Sequence, residues 1–490
     1  MQLLTLLQDV VRASDTQLPA LEIAGLAYDS RKVNSDFLFA AIKGEKTDGN
    51  LFVNQAVQRG AVAVVSEIRG RTGFGGCWVQ VVHARQALAM AAANFYGQPT
   101  KQINLIGITG TNGKTSTTYL LEAVISAAGE KVGVISTIEY RGPEGRVPAQ
   151  RTTPESLDLQ ALFADFAREG CRFVVMEVSS HALAMQRVHA CQFRSAVFTN
   201  LSQDHLDFHQ TLENYFEAKR QLFLGTGLNP PRQSLINRDD LYGARLEEVC
   251  AGRCLTYSTQ HAADFQILHS RVAKPGLWLH LQTPSGEMDL QTRLMGKHNL
   301  SNILAAVGVA HDLGIPAAAI KQGIEGCAPV PGRFESVDCG QPFRVFVDYA
   351  HTPDALEKIL ETARELQPGR LLVLFGCGGE RDRGKRPAMA QVAETWSDFC
   401  WITSDNPRGE DPMKILEDIE SGFEHRPPRY EVEPDRGKAI RKILRQARSG
   451  DVVVLAGKGH ETYQVLGSRT IHFDDREEAR QALHELGAVQ

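Results

Sequence analysis

Apolar and polar positions follow different rhythms along the chain, and the changes of rhythm divide it. The first hundred residues carry short apolar runs, LFAAI at 38–42, AVAVVS at 61–66 and WVQVV at 78–82. Helical stretches such as ARQALAMAAANFYG lie between and after them. Short apolar runs bounded by turn residues read as buried strands, so this part predicts a small α/β domain. Its end falls at GQPTKQ (97–102), a polar stretch with Gly and Pro suited to a linker. From 103 the scale changes. INLIGI (103–108) predicts a buried strand, followed by a glycine-rich turn and the helix TSTTYLLEAVISAAG, ended by Gly129. VGVIS (132–136), FVVMEV (173–178) and SAVFTN (195–200) predict further strands. Strands alternating with helices imply a mostly parallel sheet. Between about 262 and 295 the period becomes two, in FQILHSRV, LWLHLQ and MDLQTRL, with PG and PSG turns. That predicts an antiparallel insert or edge, and a helix follows at roughly 299–313.

After PVPGR (329–333) a third unit begins. FRVFVDY, RLLVLFG, DFCWITS and DVVVLAG are its strand candidates. Each runs into a polar or glycine-rich loop: DYAHTPDA, GCGGERDRGK, SDNPRGED and AGKGHETY. Ligands of open parallel sheets bind at the carboxyl ends of strands, so these loops predict a site. The expected class is α/β in three domains, 1–99, 100–332 and 333–490.

Composition narrows the chemistry only slightly. The length of 490 residues suits about three domains. With 43% hydrophobic and 23% charged residues, the chain is an ordinary globular one. A net charge of -5 argues against a general nucleic-acid binder, which carries a basic stripe. Nine scattered Cys contain no CxxC pair, so neither structural zinc nor a disulfide framework is expected, and reduced thiols point to a cytoplasmic setting. The opening MQLLTLLQDVVRAS has Asp9 inside its apolar stretch and no basic start, unlike a signal peptide. No run is long enough for a membrane span.

The strongest local signal is Gly107-Ile-Thr-Gly-Thr-Asn-Gly-Lys-Thr-Ser, set between a strand and a helix. Glycines let the backbone wrap a phosphate chain, and the helix start favours anions. Lys114 adds a charge for the β- and γ-phosphates, and the Thr115 hydroxyl suits Mg²⁺. The strict G-x-x-x-x-G-K-[ST] spacing is not met, because Ile108 stands at the first glycine position. The alternative is a glycine-rich turn that binds nothing; the context favours ATP. Oxygen ligands for Mg²⁺ belong at neighbouring strand ends. Glu177 ends FVVMEV and is a candidate, or else a helix cap. Asp204, His205, Asp207 and His209 form a polar cluster after the next strand. Lys219, in YFEAKRQLF, reads from spacing alone as a solvated helix residue.

Taken together, Gly110-Thr-Asn-Gly-Lys-Thr, Glu177-Val-Ser-Ser-His, Thr199-Asn-Leu-Ser-Gln-Asp-His-Leu-Asp, Lys297-His-Asn, Gly332-Arg-Phe-Glu and Asp348-Tyr-Ala-His-Thr-Pro resemble the Mur ligases of peptidoglycan synthesis. The resemblance runs essentially end to end. It implies a UDP-sugar-binding N-terminal domain, a central P-loop ATPase domain and a C-terminal Rossmann-like domain for the incoming amino acid. It implies ATP-dependent amide formation through an acyl phosphate, in cytoplasmic cell-wall precursor synthesis, and hence a part in cell shape and division. By resemblance, Gly110, Thr111, Asn112, Gly113, Lys114, Thr115, Ser116, Asn299, Arg333 and Asp348 bind ATP. Thr115, Glu177, His205 and Lys219, the last as a carbamate, hold metal, and Lys114, Lys219 and His205 serve catalysis. Tyr28, Ser30, Thr152, Thr153, Ser179 and Arg187 contact the UDP-muramoyl-dipeptide, as does the Gly44-Glu-Lys-Thr-Asp-Gly loop. Two departures stand out: Met185 where a Gln is expected, with Gln186 beside it, and Arg151 where an Asn is common.

Within the family, Asp29-Ser-Arg, Gly376-Cys-Gly-Gly-Glu-Arg-Asp, Asp405-Asn-Pro-Arg and Gly457-Lys-Gly-His-Glu resemble the members that add meso-diaminopimelate. Diaminopimelate differs from lysine by a distal carboxylate, which Arg408 can hold bidentately. Arg381, Asp405, Asn406, Pro407, Gly457 and Glu461 complete the implied pocket. Lysine would leave Arg408 desolvated and unpaired. Taken alone, Asp405-Asn-Pro-Arg could be a plain turn. A lysine-adding relative would lack Arg408, and a folylpolyglutamate synthase would need neither Asp29-Ser-Arg nor this pocket. An ATPase driving a macromolecule would hydrolyse ATP without a small acceptor. A nicotinamide enzyme is disfavoured because Gly376-Cys-Gly-Gly is not G-x-G-x-x-G. The expected partners are small molecules, with no nucleic acid, and the chain is expected to be a monomer.

Overall fold

The computed structural model describes residues 1–8, 10, 18–44, 47–70, 74–250, 253–273, 276–424 and 429–487. Asp9 and residues 11–14 of the opening stretch, Glu45 and Lys46 of the Gly44–Gly49 loop, and Pro275 of the PG turn lie outside the described residues.

The architecture is three α/β units. In the first, four parallel strands lie in chain order: Gly25–Ala27, Phe37–Ala40, Ala61–Ser66 and Cys77–Gln80. Helix Ala84–Phe95 lays its small face, Ala87, Ala91 and Ala92, against Leu38, Val65 and Val79. The strand Gly25–Ala27 escaped sequence reading because three residues establish no period.

The central sheet has eleven strands. Its heart runs Gln233–Asn237, Phe193–Phe198, Asn104–Thr109, Phe173–Glu177 and Val132–Ile135, all parallel. Both faces are covered. Ile106 and Ile108 face helices Lys114–Ala127 and His298–Asp312, whereas Leu105 and Val174 face Phe163, Phe216 and Phe223. Two-sided burial explains the unbroken apolar runs. Phe265–Val272, Leu277–Thr283 and Gly286–Thr292 extend one edge, the last two antiparallel. This is the insert that the two-residue period predicts. An antiparallel hairpin, Glu139–Gly142 with Gly145–Pro148, ends the other edge and was not legible. Its second strand is wholly exposed, so it shows no apolar pattern.

The third unit has six strands, in the order Glu335–Val337, Arg344–Asp348, Val452–Ala456, Leu371–Phe375, Phe399–Ile402 and Tyr430–Val432. All but the first are parallel. The four predicted strands form its centre. The two outer ones are three residues each, too short to read from pattern. A separate hairpin, Tyr463–Leu466 with Arg469–His472, lies beyond the sheet.

Candidate active site

Strand Asn104–Thr109 lies between two strands that come later in the chain, Phe193–Phe198 and Phe173–Glu177. The chain reverses direction across the sheet here, and such switch points open a crevice at the carboxyl ends. The glycine-rich turn sits in it, leading into helix Lys114–Ala127. Gly110 has φ 151°, and a Cβ there would stand 1.8 Å from Thr199 Oγ1. Gly113 has φ 87°, and a Cβ there would stand 2.3 Å from Asn302 Oδ1. Both glycines are therefore required by conformation and by close approach. Thr199 Oγ1 donates to Asn112 O at 2.6 Å, and Asn200 Oδ1 accepts from Asn112 N at 2.9 Å. The loop is thus tied to the next strand end.

Lys114 Nζ folds back to donate to Gly110 O at 2.8 Å and Thr111 O at 2.9 Å. Lys219 is buried and donates to the same Gly110 O at 2.9 Å. This corrects the spacing-based reading of Lys219 as solvated. In helix Leu212–Leu224 it lies on the inward stripe with Tyr215, Leu222 and Phe223, a spacing that could have placed it. Burial holds its amine well below the usual lysine range, and the charge of Lys114 adds to this, against Asp204. Burial also lowers Lys114, with Glu177 partly restoring it.

Glu177 is buried at the end of its strand. Its carboxylate accepts from Thr137 N and Thr137 Oγ1, each at 3.0 Å. It is not a helix cap; Ser179 caps the helix that follows. Thr153 Oγ1 donates to Glu177 O at 2.9 Å and accepts from Ser179 N at 3.0 Å. Asp204 is buried among nitrogen groups: His205 at 3.3 Å, His351 at 3.7 Å and Lys385 at 3.9 Å. Burial pushes its carboxyl up, but those groups outweigh it and hold it well below the carboxylate range. Burial drives the His205 imidazole down to about 3, against the pull of Asp204. His209 instead turns to Ser180 Oγ at 2.9 Å, and Asp207 lies 4.0 Å from Arg381.

A cavity of about 530 Å³ opens beside the loop, lined by residues 111–116, Thr137, Thr152, Glu177, His205, Asn302 and Asp348 among others. The third unit supplies one wall. Arg333 Nη2 donates to Thr115 Oγ1 at 3.0 Å, and its guanidinium stacks 4.8 Å from the Tyr349 ring. Asp354 Oδ2 accepts from Asn112 Nδ2 at 2.7 Å. Asp348 is buried and accepts from Phe334 N and Ala350 N. Asn299 points away from the cavity, to Met295 O and Asn302, so Asn302 is the amide that meets the loop.

A second cavity of about 700 Å³ lies between the first and central units. Tyr28, Ser30, Gln55, Arg85, Arg151, Met185 and Arg187 are part of its lining. Ser30 Oγ donates to Gln55 Oε1 at 2.8 Å, and Tyr28 OH to Asp158 at 2.6 Å. Glu155, which sequence reasoning missed, binds Arg85, Arg151 and Arg187, each at 3.0 Å. Met185 faces this cavity with its sulfur 3.2 Å from Arg187, while Gln186 turns to Leu183 O. Gln186 therefore does not stand in for the missing Gln. Thr152, Thr153, Ser179 and Arg187 link the two cavities: Arg187 Nη1 donates to Thr153 O at 3.3 Å.

The remaining residues gather at the carboxyl ends of the third sheet, apart from both cavities. Arg408 has φ 54° and donates to Gly379 O at 2.8 Å. Asn406 Nδ2 donates to Glu461 Oε2 at 2.9 Å. Asp405 is buried, and a Cβ on Gly457 would come within 3.3 Å of its Oδ2. Pro407 is buried behind the loop. Arg381 is the exposed member. Lys458, unpredicted, is wholly buried among them.

A phosphate loop at a switch point, a two-sided cavity beside it, a second large cavity and a separate polar cluster suit an enzyme that joins small molecules at the expense of a nucleotide. The comparisons agree. Three Mur ligase descriptions match in sequence: "Mur ligase family, catalytic domain" at 22–96, "Mur ligase middle domain" at 108–310, and "Mur ligase, glutamate ligase domain" at 332–459. The chain is 49% identical over 474 residues to UDP-N-acetylmuramoyl-L-alanyl-D-glutamate--2,6-diaminopimelate ligase of Solibacter usitatus, covering 97% of this chain and 96% of that protein. A solved structure of a ligase of that name superposes with TM-score 0.70 at 33% identity, covering 99% of both chains. MurF ligase from Thermotoga maritima in complex with ADP shares the fold, with TM-score 0.64 at 17% identity, over 94% of this chain and 96% of that one. The chain belongs to the Mur ligase family.

Proposed function

We propose that the chain adds meso-2,6-diaminopimelate to the γ-carboxylate of the D-Glu residue of UDP-N-acetylmuramoyl-L-alanyl-D-glutamate, with ATP as co-substrate. The observation that carries this reading is Arg408, set beside Asp405, Asn406 and Glu461 in a pocket for a zwitterion, in a chain so close to the Solibacter ligase. The UDP-sugar occupies the larger cavity, and its peptide runs past Arg187, Thr153 and Ser179 toward Glu177. The D-Glu carboxylate attacks the γ-phosphate, ADP leaves, and an acyl phosphate forms. The diaminopimelate amine then attacks the carbonyl carbon, inorganic phosphate departs, and the amine gives up a proton. A carboxylate must be activated in this way because hydroxide is a poor leaving group. The chain's task is to bring two anions together, and Lys114 and Arg333 supply positive charge where they meet.

The donors fit Mg²⁺: a buried carboxylate, Glu177, and the Thr115 hydroxyl share one cavity with the phosphate loop. Mg²⁺ is commonly held by few carboxylates plus substrate phosphates, and among the described residues no cluster of three His, Cys, Asp or Glu offers an all-protein cage. Bound there, the ion would neutralise phosphate charge. The depressed Lys219 amine suits carbamylation, which would turn a repelling cation into an oxygen donor. The chain works as a cytoplasmic monomer in cell-wall precursor synthesis. Among the described residues no helix is long and apolar enough to cross a membrane.

The test is phosphate release with UDP-N-acetylmuramoyl-dipeptide, ATP and Mg²⁺, with diaminopimelate or lysine added separately. Release is expected with diaminopimelate. Release with lysine only, or with neither, overturns the reading.

A further inference from the structure

We propose that Lys458 is a specificity-determining residue: its buried ammonium balances the charge of the amino-acid pocket so that it fits a distal zwitterion instead of a lone ammonium. The inference rests on the function proposed above and concerns the same pocket.

Lys458 is 0% exposed. Its Nζ lies 3.0 Å from Glu461 Oε2, 3.4 Å from Asn406 Oδ1 and 3.6 Å from Asp405 Oδ1, with the Tyr463 ring centroid 5.6 Å away. One ammonium therefore serves two carboxylates. A buried ammonium is costly without partners, and a buried carboxylate beside a half-buried one repels it without a cation. Each carboxylate keeps acceptor capacity to spare. Asp405 Oδ1 has no hydrogen-bond donor, and the bonds from Lys458 and Asn406 both fall on Oε2 of Glu461.

Charge decides what these oxygens can take. Asp405 and Glu461 bring two negative charges; Lys458 and Arg408 bring two positive ones. These four charges sum to zero, with an acidic half and a basic half, and the fifth charge of the pocket, Arg381, is half exposed. The distal end of diaminopimelate is also neutral, with one ammonium and one carboxylate. Several other charges nearby have partners of their own, although Arg436 also feels Asp405 and Glu461. Arg436 is paired with Asp475 at 2.6 Å. Arg386 and Arg383 meet Glu410 at 2.8 and 2.9 Å, and Arg386 meets Asp418 at 2.8 Å. Arg381 is half exposed and lies toward Asp207. Without Lys458 the pocket gains one net negative charge, which suits the distal end of lysine, a single ammonium. Arg408 supplies the attraction for the distal carboxylate, and Lys458 stops the acidic half from outweighing it.

The experiment compares kcat/KM for diaminopimelate and for L-lysine in the phosphate-release assay, using the full chain, Lys458→Met and Lys458→Arg. The wild-type chain is assayed first. A preference for lysine there overturns the reading of function, and this inference with it. In K458M the diaminopimelate-to-lysine ratio should fall by about tenfold or more, while KM for the UDP-dipeptide and for ATP changes less than about twofold. K458R, which keeps the charge, should retain most of the wild-type ratio. If K458M turns over neither amino acid, the same ratio is read from their binding to the ADP-loaded protein by calorimetry. A wild-type ratio that survives in K458M, by either readout, overturns the inference alone. So does a K458R ratio as low as that of K458M, or a K458M chain with no cooperative melting transition.

Discussion

Lys114 and Lys219 aim their ammonium groups at one oxygen: Gly110 O accepts from both, at 2.8 and 2.9 Å. The two lysines come from different helices, 105 positions apart by number. Two like charges on one buried acceptor repel, and burial already disfavours each of them. Lys219, the more enclosed by aromatic and loop atoms, has its amine well below the lysine range. Its uncharged, nucleophilic form is therefore favoured over that of a solvated lysine.

An uncharged amine adds to carbon dioxide, losing a proton to become a carbamate. Carbon-13 bicarbonate should give a carbamate resonance in the wild-type protein that is missing in Lys219→Gln. Turnover should fall in buffer stripped of carbon dioxide and return when bicarbonate is added. Identical spectra for the two proteins would rule the modification out.

Gly110 leaves no room for a side chain. The Cβ of Gly110→Ala would overlap Thr199 Oγ1 and approach Asn200 N to 3.0 Å, at a φ of 151°. The loop must shift, and its amides lose their aim at a phosphate. ATP affinity should drop by roughly a hundredfold, measured by displacement of a fluorescent nucleotide. Wild-type affinity in this variant would show that the loop does not cradle phosphate.

Arg408→Lys keeps the charge but loses the planar fork. Diaminopimelate KM should rise by about ten- to a hundredfold, with ATP KM unchanged. Steady-state kinetics indistinguishable from wild type for diaminopimelate would remove Arg408 from the pocket.

Acid should weaken the fold through its buried histidines. Burial lowers His298 to about 4 and His460 to about 3, from an ordinary 6.5, with nearby cations adding to the effect. These rings are neutral when folded, so below 6.5 the unfolded chain binds more protons. Stability then rises with pH across the window from about 4 to 6.5 and is lost on acidification. The melting temperature should fall over that window, and His298→Gln should flatten the slope by about one proton. A His298→Gln slope equal to wild type would refute the assignment.

The phosphate loop was legible because its requirement is local: strand, glycines, lysine and helix follow one another. The parallel sheets were legible because burial on both faces leaves unbroken apolar runs. Lys219 was harder. Its partner carbonyl lies 109 positions away, and a charged residue in a helical stretch reads by spacing alone as solvated. The stripe through Tyr215 and Leu222 held the signal. Resemblance implies an adenine contact for Asn299; in the fold Asn299 accepts from Asn302, and Asn302 stands against the loop, which no spacing shows. Glu155 and Lys458 were passed over for another reason. Each neutralises side chains of a binding site, and only a folded chain shows which charges need a counter-ion. The hairpin beyond Val132–Ile135 buries only Tyr140 of its first strand and nothing of its second, too little to leave a pattern.

Asp354 and Arg333 belong to the third unit, yet they grip Asn112 and Thr115 of the phosphate loop. The nucleotide cavity therefore has a floor from one unit and a wall from another. A chamber built this way changes shape whenever the two units move. Nucleotide entry and departure would keep time with the parting of the contacts between these units, so the tempo of the enzyme would be set by a hinge as much as by a bond.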